Sequence, residues 1–228
     1  MRAFKFRPSS QIAFAFDIIF NQRLHCADWS RLNDPMEGMF AYSSSSTNGE
    51  DPKKIIERII REKQRLKICS LSRTFDCHLL WAHYASGFNG VALEVELPEN
   101  SPKVKIVLYR GVFAQFSIDR VAHPSITAQE ILSSKYREWE YEQEVRVLHN
   151  EEWFSLAQPV KRVIAGHRMQ PALFEALRIV CKSKNITFCR TGIGDNGIDA
   201  DVVQLPLIAE RPRRLAGRRL RRRVDERD

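Results

Sequence analysis

Two glutamates separated by one residue stand just before an apolar segment that predicts a strand. Glu142 and Glu144 flank Gln143, and Val145 and Val147 follow them. Because side chains two residues apart on a strand share one face, we expect both carboxylates to point the same way. A carboxylate beside a ribose stabilises the positive charge that develops when a glycosidic bond breaks. The pair therefore predicts glycoside-type chemistry, in which one carboxylate holds the sugar and the other orients a nucleophile.

The same pair has a simpler interpretation. On a solvent-exposed strand face, Glu142 and Glu144 would be ordinary charges that pair with lysine or arginine on a neighbouring strand. The catalytic interpretation predicts instead that Glu144→Gln abolishes activity and leaves the melting temperature nearly unchanged. The sequence leaves both interpretations open.

Polar side chains recur in three other segments, between apolar stretches that predict core elements. Together with an arginine on the first predicted strand, they form the candidate ligand-binding set: Arg7, Asn33, Asp34, Glu37, Ser70, Ser72, His83 and Tyr84. Arginine suits a pyrophosphate because its planar guanidinium matches two phosphate oxygens. The serines would brace the fold and present hydroxyls, while the imidazole or the phenol would stack on the ligand or hydrogen-bond to it. We expect the loop over residues 33–38 to lie beside the carboxylate pair.

Two other motifs do not carry the chemistry that their residues first indicate. The run from Gly192 to Gly197 has the glycine spacing of a dinucleotide-binding loop. That loop needs a following helix and a second parallel strand, for which the remaining sequence has no room, so we expect a turn between strands. The cysteines and histidines between residues 69 and 83 lack the Cys-x-x-Cys pairs of a tetrahedral zinc site. We therefore expect no metal.

The composition is that of a globular protein, with 228 residues, 43% hydrophobic and 28% charged. No apolar run is long enough for a transmembrane helix, so we expect no membrane association. The five cysteines are odd in number and include no Cys-x-x-Cys pair. They indicate reduced thiols and a cytoplasmic location.

Positive charge is concentrated at the C-terminus. Residues 211–228 contain nine arginines against three acidic residues, a net charge of +6 out of the +8 of the whole chain. We therefore divide the chain into one globular domain, residues 1–210, and a flexible arginine-rich tail, residues 211–228. The arginines from Arg211 to Arg227 would tether the protein to RNA, DNA or another polyanion without sequence preference, or would serve only as a solvated end.

Apolar periodicity predicts the elements that must position these residues. Seven or eight segments alternate as strands do, most clearly from Val91 to Leu97, and four or five segments are helical, including one over residues 126–139. Strands and helices do not alternate strictly along the chain. The pattern predicts an α+β fold with a mostly antiparallel, twisted or split sheet.

Three segments in this order resemble a bacterial family known as domain of unknown function 2971. They are the Asn-Asp-Pro-x-Glu loop at 33–37, the Trp-x-His-Tyr-Ala segment that leads to Gly90 and Val91, and the Lys-x-x-x-Trp-x-x-Glu-x-Glu-x-Arg run at 135–146. The resemblance extends from Phe4 to about Leu207, and it implies no assigned activity.

A more distant resemblance implies a chemistry. The segment 142–144 is similar to the Glu-x-Glu element of ADP-ribosyltransferases, the segment 70–72 to their Ser-Thr-Ser strand with Leu71 in place of threonine, and Arg7 to their opening arginine. This resemblance implies a small split-sheet fold, NAD as the substrate, and Glu144 and Glu142 as catalytic residues, in a toxin or defence effector. The alternatives are a non-catalytic ligand-binding or protein-interaction module and a nucleic-acid-associated protein tethered by its basic tail.

Overall fold

The computed structural model describes residues 1–45, 51–111, 113–195 and 197–203. The arginine-rich tail predicted at 211–228, and the end of the predicted domain at residue 210, lie outside the described residues. The strands are β1 (Arg2–Arg7), β2 (Arg23–His25), β3 (Ala27–Asp28), β4 (Phe40–Ser43), β5 (Lys67–Ser72), β6 (Val91–Glu96), β7 (Val104–Ile106), β8 (Leu108–Arg110), β9 (Ala114–Ser117), β10 (Ser134–Tyr136), β11 (Glu144–His149), β12 (Trp153–Ser155), β13 (Arg162–Ala165), β14 (Thr187–Gly194) and β15 (Gly197–Val202). The α-helices are α1 (Ile12–Asn21), α2 (Pro52–Arg65), α3 (His78–Tyr84), α4 (Pro124–Ile131) and α5 (Pro171–Ser183), and short 3-10 helices span Ser9–Gln11, Trp29–Arg31, Ile118–Arg120 and Arg137–Glu142.

One large sheet organises the fold. Its strand order is β15-β14-β13-β6-β1-β5-β11-β7, and β3 also pairs with β5. Within this sheet β13 and β14 run parallel, and the other pairs are antiparallel. The predicted α+β class and the mostly antiparallel sheet are therefore confirmed, with five α-helices in the described part of the chain.

The two faces of the sheet bury separate apolar clusters. On one face, Leu93 of β6 belongs to the larger cluster, which includes residues of α1 and α5. On the other face, Phe6 of β1 packs edge-to-face against Trp81 of α3, with ring centroids 5.3 Å apart. This contact anchors α3 beside β1, so that the end of the helix lies next to the middle of the sheet. No helix in the described ranges is long and apolar enough to cross a bilayer.

The sheet opens between β1 and β5. These two strands share a single register pair, Phe4 with Ser72, whereas β1 pairs with β6 along its whole length. On the same edge of β5, its other end pairs with β3. The Lys5 ammonium spans the opening by donating a hydrogen bond of 2.6 Å to the Ser70 carbonyl oxygen. A backbone opening of this kind leaves room for side chains from both strands to surround a ligand.

The segment after α4 departs from the predicted helix over residues 126–139. The helix α4 ends at Ile131, and the chain continues as β10, which pairs in parallel with β8. The physical reason lies in two serines: the Ser133 hydroxyl donates to the Gln129 carbonyl oxygen at 2.7 Å, and Ser134 caps the next carbonyl in the same way. Serine side chains that bond to the preceding turn compete with helix continuation. As a result Lys135 is placed on a strand.

Candidate functional site

A cavity of about 530 Å³ lies where β1 and β5 separate. This volume falls in the range of about 300–1,000 Å³ that is typical of small-molecule sites. Nine of the ten predicted site residues line the cavity: Arg7, Asn33, Glu37, Ser70, Ser72, His83, Tyr84, Glu142 and Glu144. They come from strands β1, β5 and β11, from helix α3, from the loop after the 3-10 helix Trp29–Arg31 and from the end of the 3-10 helix Arg137–Glu142. The structure thus brings together segments that are far apart in the chain.

Asp34 is the predicted site residue that does not line the cavity. Its buried carboxylate accepts a hydrogen bond of 2.9 Å from the Met36 amide, and its carbonyl oxygen accepts one of 3.1 Å from the Glu37 amide. These contacts are those of an Asx turn. In place of the predicted ligand contact, Asp34 therefore builds the turn that positions Glu37.

The two glutamates of the predicted pair do not share a strand. Glu142 ends the 3-10 helix Arg137–Glu142, and Gln143 takes a left-handed conformation (φ 44°, ψ 47°) before β11 begins at Glu144. The prediction that both lie on one strand face is therefore wrong. The carboxylates meet because both face the Lys135 ammonium, which lies 2.6 Å from Glu142 Oε2 and 3.5 Å from Glu144 Oε2.

The pair is also buried, so the interpretation as exposed strand charges is wrong. The side chains of Glu142 and Glu144 are 5% and 4% exposed, and that of Lys135 is 3% exposed. Buried charges are stable only when they are paired and hydrogen-bonded. The neighbouring cations are therefore part of the site.

Arg146, which the sequence prediction omitted, organises the interior of the site. Its five guanidinium N–H groups all have acceptors: two on Glu37 at 2.7 and 2.8 Å, two on Glu144 at 2.8 and 3.0 Å, and the Leu132 carbonyl oxygen at 2.7 Å. The guanidinium is buried and has no donor left for a ligand. Its role is to fix the positions of Glu37 and Glu144.

The two glutamates have opposite pKa shifts. For Glu144, burial opposes ionisation, but Arg146 and Lys135 outweigh it and hold the pKa at about 2, with help from the Ser70 hydroxyl. For Glu142, burial is the strongest influence and, together with the nearby Glu144 charge, it outweighs Lys135 and raises the pKa. Carboxylates whose pKa values are driven apart in this way are suited to different tasks in one reaction.

Tyr84 and Ser72 hold Glu142 in place. The Tyr84 hydroxyl donates to Glu142 Oε1 at 2.5 Å and accepts a hydrogen bond of 2.8 Å from Asn33 Nδ2. Burial and the Glu142 charge raise the pKa of this phenol, so it keeps its proton. The Ser72 hydroxyl donates to the Glu142 carbonyl oxygen at 2.6 Å and so braces the backbone. His83 is exposed beside them.

The wall of the cavity that β1 forms carries positively charged side chains, opposite in sign to the three glutamates. Lys5 and Arg7 line the cavity, and neither forms an ion pair with a described carboxylate. Arg7 Nε is buried without a hydrogen-bond partner, and the guanidinium lies over the Phe14 ring, 4.8 Å from its centroid. Burial lowers the pKa of both groups. This wall therefore offers two basic side chains that form no ion pair with a described carboxylate.

The interior wall has one negative charge in excess. It contains three carboxylates and two cations: Glu37, Glu142, Glu144, Lys135 and Arg146. Arg146 carries one charge for both Glu37 and Glu144, and Lys135 lies 2.6 Å from Glu142 and 3.5 Å from Glu144, so the excess charge is shared among the three carboxylates. A ligand that complements the cavity has two negative charges at one end and a positive charge at the other.

Two signals in the sequence could have identified the missing cations. Lys135 and Arg146 bound the run that contains both glutamates, and buried carboxylates require cations close by. Lys5 alternates with Arg7 along a strand and must share its face. The glycine-rich run lies, as predicted, where one strand follows another: Gly194 ends β14 and pairs with Gly197, the first residue of the antiparallel strand β15. Among the described residues, no group of three or more His, Cys, Asp or Glu could hold a metal ion.

Comparison of the chain with known protein families, with curated proteins and with solved structures finds no match. The resemblances to the domain of unknown function 2971 and to ADP-ribosyltransferases therefore stay predictions. The geometry and charge of the cavity are the observations on which a function can be proposed.

Proposed function

We propose that the chain is an NAD-consuming enzyme that breaks the bond between nicotinamide and ribose, as an ADP-ribosyltransferase or an NAD glycohydrolase. The observation that carries this proposal is the separation of charge across the cavity. The β1 wall has two positive charges without a carboxylate, and the opposite wall has one carboxylate in excess. Oxidised NAD has the complementary pattern, with two negative charges on its pyrophosphate and one positive charge on its nicotinamide ring.

The basic wall would bind the pyrophosphate. The Arg7 guanidinium has a buried Nε without a partner, and a planar guanidinium can donate two parallel hydrogen bonds to phosphate oxygens. Lys5 donates one of its three N–H groups to the Ser70 carbonyl oxygen and also interacts with the Cys69 side chain, so a further N–H group is left for the ligand. A phosphate held here directs the nicotinamide riboside towards Glu142.

The interior wall would stabilise the transition state. Breaking the nicotinamide–ribose bond leaves positive charge on the ribose, and nicotinamide departs as a neutral base, so no general acid is required. Glu144, with a pKa of about 2, stays ionised, and the excess negative charge of this wall faces the developing cation. The raised pKa of Glu142 also suits it to accept the proton of an incoming nucleophile.

The test is the release of nicotinamide from NAD by the purified chain. Glu142→Gln keeps the shape of the side chain and removes its charge, so we expect it to lose nicotinamide release. Glu140→Gln is the matched control, because Glu140 is exposed on the same 3-10 helix. Full activity in Glu142→Gln would contradict the proposal. Binding of NAD without nicotinamide release would favour the alternative, a non-catalytic ligand-binding module.

The proposed role of such an activity is that of a bacterial toxin or defence effector acting in the cytoplasm, where NAD is abundant and the five reduced cysteines would persist. Expression in a bacterial host should then lower cellular NAD and growth. The Glu142→Gln variant should restore both. Growth inhibition that survives this substitution would separate the toxicity from the proposed reaction.

The charge of the C-terminal tail favours a second candidate function. We propose that the nine arginines from Arg211 to Arg227 attach the protein to RNA or DNA, since each neutralised phosphate releases counterions. Truncation after Glu210 should remove most nucleic-acid retention at low salt and leave the melting temperature unchanged. Equal retention of the truncated chain, with the same dependence on salt, would show that the tail is only a solvated end.

A further inference from the structure

We infer that the acceptor of ADP-ribose at this site is water, so that the chain releases free ADP-ribose and does not attach it to a macromolecule. The inference rests on the proposed function and specifies the second half of the reaction. It is drawn from what lies around Glu142, the carboxylate suited to activating the nucleophile.

Glu142 is covered on the side that faces solvent. Its Oε1 receives the Tyr84 hydroxyl at 2.5 Å, and that hydroxyl receives the Asn33 amide at 2.8 Å. Asn33 is exposed, Tyr84 is partly buried, and Glu142 is buried, so the three residues form successive layers from the surface inwards. We call the contact between the first two the Asn33–Tyr84 bridge. It joins the loop before β4 to the end of α3 above the carboxylate.

The other oxygen of Glu142 faces the protein interior. Its Oε2 accepts from the Lys135 ammonium at 2.6 Å, and that ammonium lies 4.4 Å from the centroid of the Trp139 ring. The hydrogen bond from Ser72 holds the Glu142 backbone in position. Both carboxylate oxygens thus have a donor among the described residues, and Glu142 lines the cavity, whose other wall binds the dinucleotide in the proposed function.

These constraints select the size of the nucleophile. With a dinucleotide in the cavity, a side chain of a protein acceptor or a base of a nucleic acid would have to share the cavity with it or displace the Asn33–Tyr84 bridge to reach Glu142. A water molecule needs no such displacement, because a space of its own size beside the ribose is sufficient for it. The enclosed carboxylate thus favours hydrolysis over transfer.

The hydrolytic step balances without a further reactant. A lone pair of the water oxygen forms the bond to ribose C1′, and the bond from C1′ to the nicotinamide nitrogen breaks. The electron pair of that bond neutralises the pyridinium, so nicotinamide leaves uncharged. The proton of the attacking water passes to Glu142, whose raised pKa suits it as the base, and then to solvent.

The first test follows the fate of the label. The full-length chain is incubated with adenine-labelled NAD and a bacterial lysate, and nicotinamide, free ADP-ribose and label on protein or nucleic acid are measured. We expect nicotinamide and free ADP-ribose in equal amounts, with no label on macromolecules. Nicotinamide release with label on macromolecules would overturn the inference and leave the proposed function standing. An absence of nicotinamide release would overturn both.

The second test changes the size of the acceptor. With purified chain, methanol should form methyl-ADP-ribose at the expense of free ADP-ribose, whereas agmatine, a larger amine, should form no adduct. Asn33→Ala removes the outer half of the bridge and should raise the agmatine adduct as a fraction of all nicotinamide released. Asn150→Ala, at an exposed asparagine in the loop after β11, is the matched control. Ready transfer to agmatine by the unmodified chain, or an unchanged fraction in Asn33→Ala, would overturn the inference.

Discussion

Replacing Arg146 by methionine removes the group that fixes the interior of the site. The variant loses all five hydrogen bonds of the guanidinium and leaves Glu37 without its bidentate partner. Glu144 then keeps the Lys135 ammonium at 3.5 Å and the Ser70 hydroxyl. Methionine has a similar length and fills much of the space, so the loss is mainly one of charge. We expect Arg146→Met to destabilise the fold strongly at neutral pH.

Two estimates of the magnitude agree. Removing one partner of a buried ion pair costs about 3–5 kcal/mol. Arg146 is also the largest favourable influence among those that hold the Glu144 pKa at about 2, against an ordinary value of 4.5. At about 1.4 kcal/mol per pKa unit, this shift corresponds to about 3 kcal/mol. A domain of this size loses about 2–4 °C per kcal/mol, so we expect the melting temperature to fall by about 6–12 °C.

The loss of stability in Arg146→Met should depend on pH, in the direction set by the lowered pKa of Glu144. An acid whose pKa is depressed in the folded state adds stability above its unfolded pKa, and this stability is lost as the pH falls through the folded value. The difference between the unmodified chain and Arg146→Met should therefore be largest near pH 7 and should shrink between about pH 4.5 and pH 2.

Thermal unfolding measured across this pH range is the assay, with Arg178→Met as the matched control. Arg178 is partly buried and pairs at 2.6 Å with the exposed Glu175 on α5, and a pair in contact with solvent contributes at most about 1 kcal/mol. A fall for Arg146→Met no larger than that of the control would refute the reasoning. So would a difference that does not change with pH.

Three further outcomes follow from the same geometry. Glu144→Gln should lower the melting temperature as well as activity, contrary to the sequence-based expectation, because its amide nitrogen would face a donor of Arg146 or Lys135; an unchanged melting temperature would contradict this. In Tyr84→Phe, Glu142 loses a hydrogen bond that lowers its pKa. The acidic limb of the pH profile of nicotinamide release should therefore move to higher pH. An unmoved limb would count against the role of Glu142 as the base. Gly90→Ala should cost about 1–3 kcal/mol in unfolding experiments, because its Cβ would lie 2.3 Å from a carbonyl oxygen of β1, whereas Gly111→Ala meets no atom within 4 Å and serves as the control.

Local pattern was sufficient for the class of the fold and for the set of polar residues around the cavity. The alternation from Val91 to Leu97 predicts a strand, and β6 is found at Val91–Glu96. Polar residues between apolar segments, such as Asn33 and Tyr84, can be recognised in the sequence because the packing of an apolar core does not require them. Such signals depend on near neighbours in the chain, so they can be detected without the tertiary structure.

The tertiary structure decided how those residues act. Glu142 and Glu144 meet through Lys135 and not through a shared strand, because Gln143 takes a left-handed conformation that no periodicity indicates. The pairing of Arg146 with Glu37 joins residues 109 positions apart, and it occupies guanidinium donors that the sequence alone leaves free for a ligand. Burial and ion pairing are set by contacts between distant segments, so the sequence could predict which residues surround the cavity but not which of them remain free to bind a ligand.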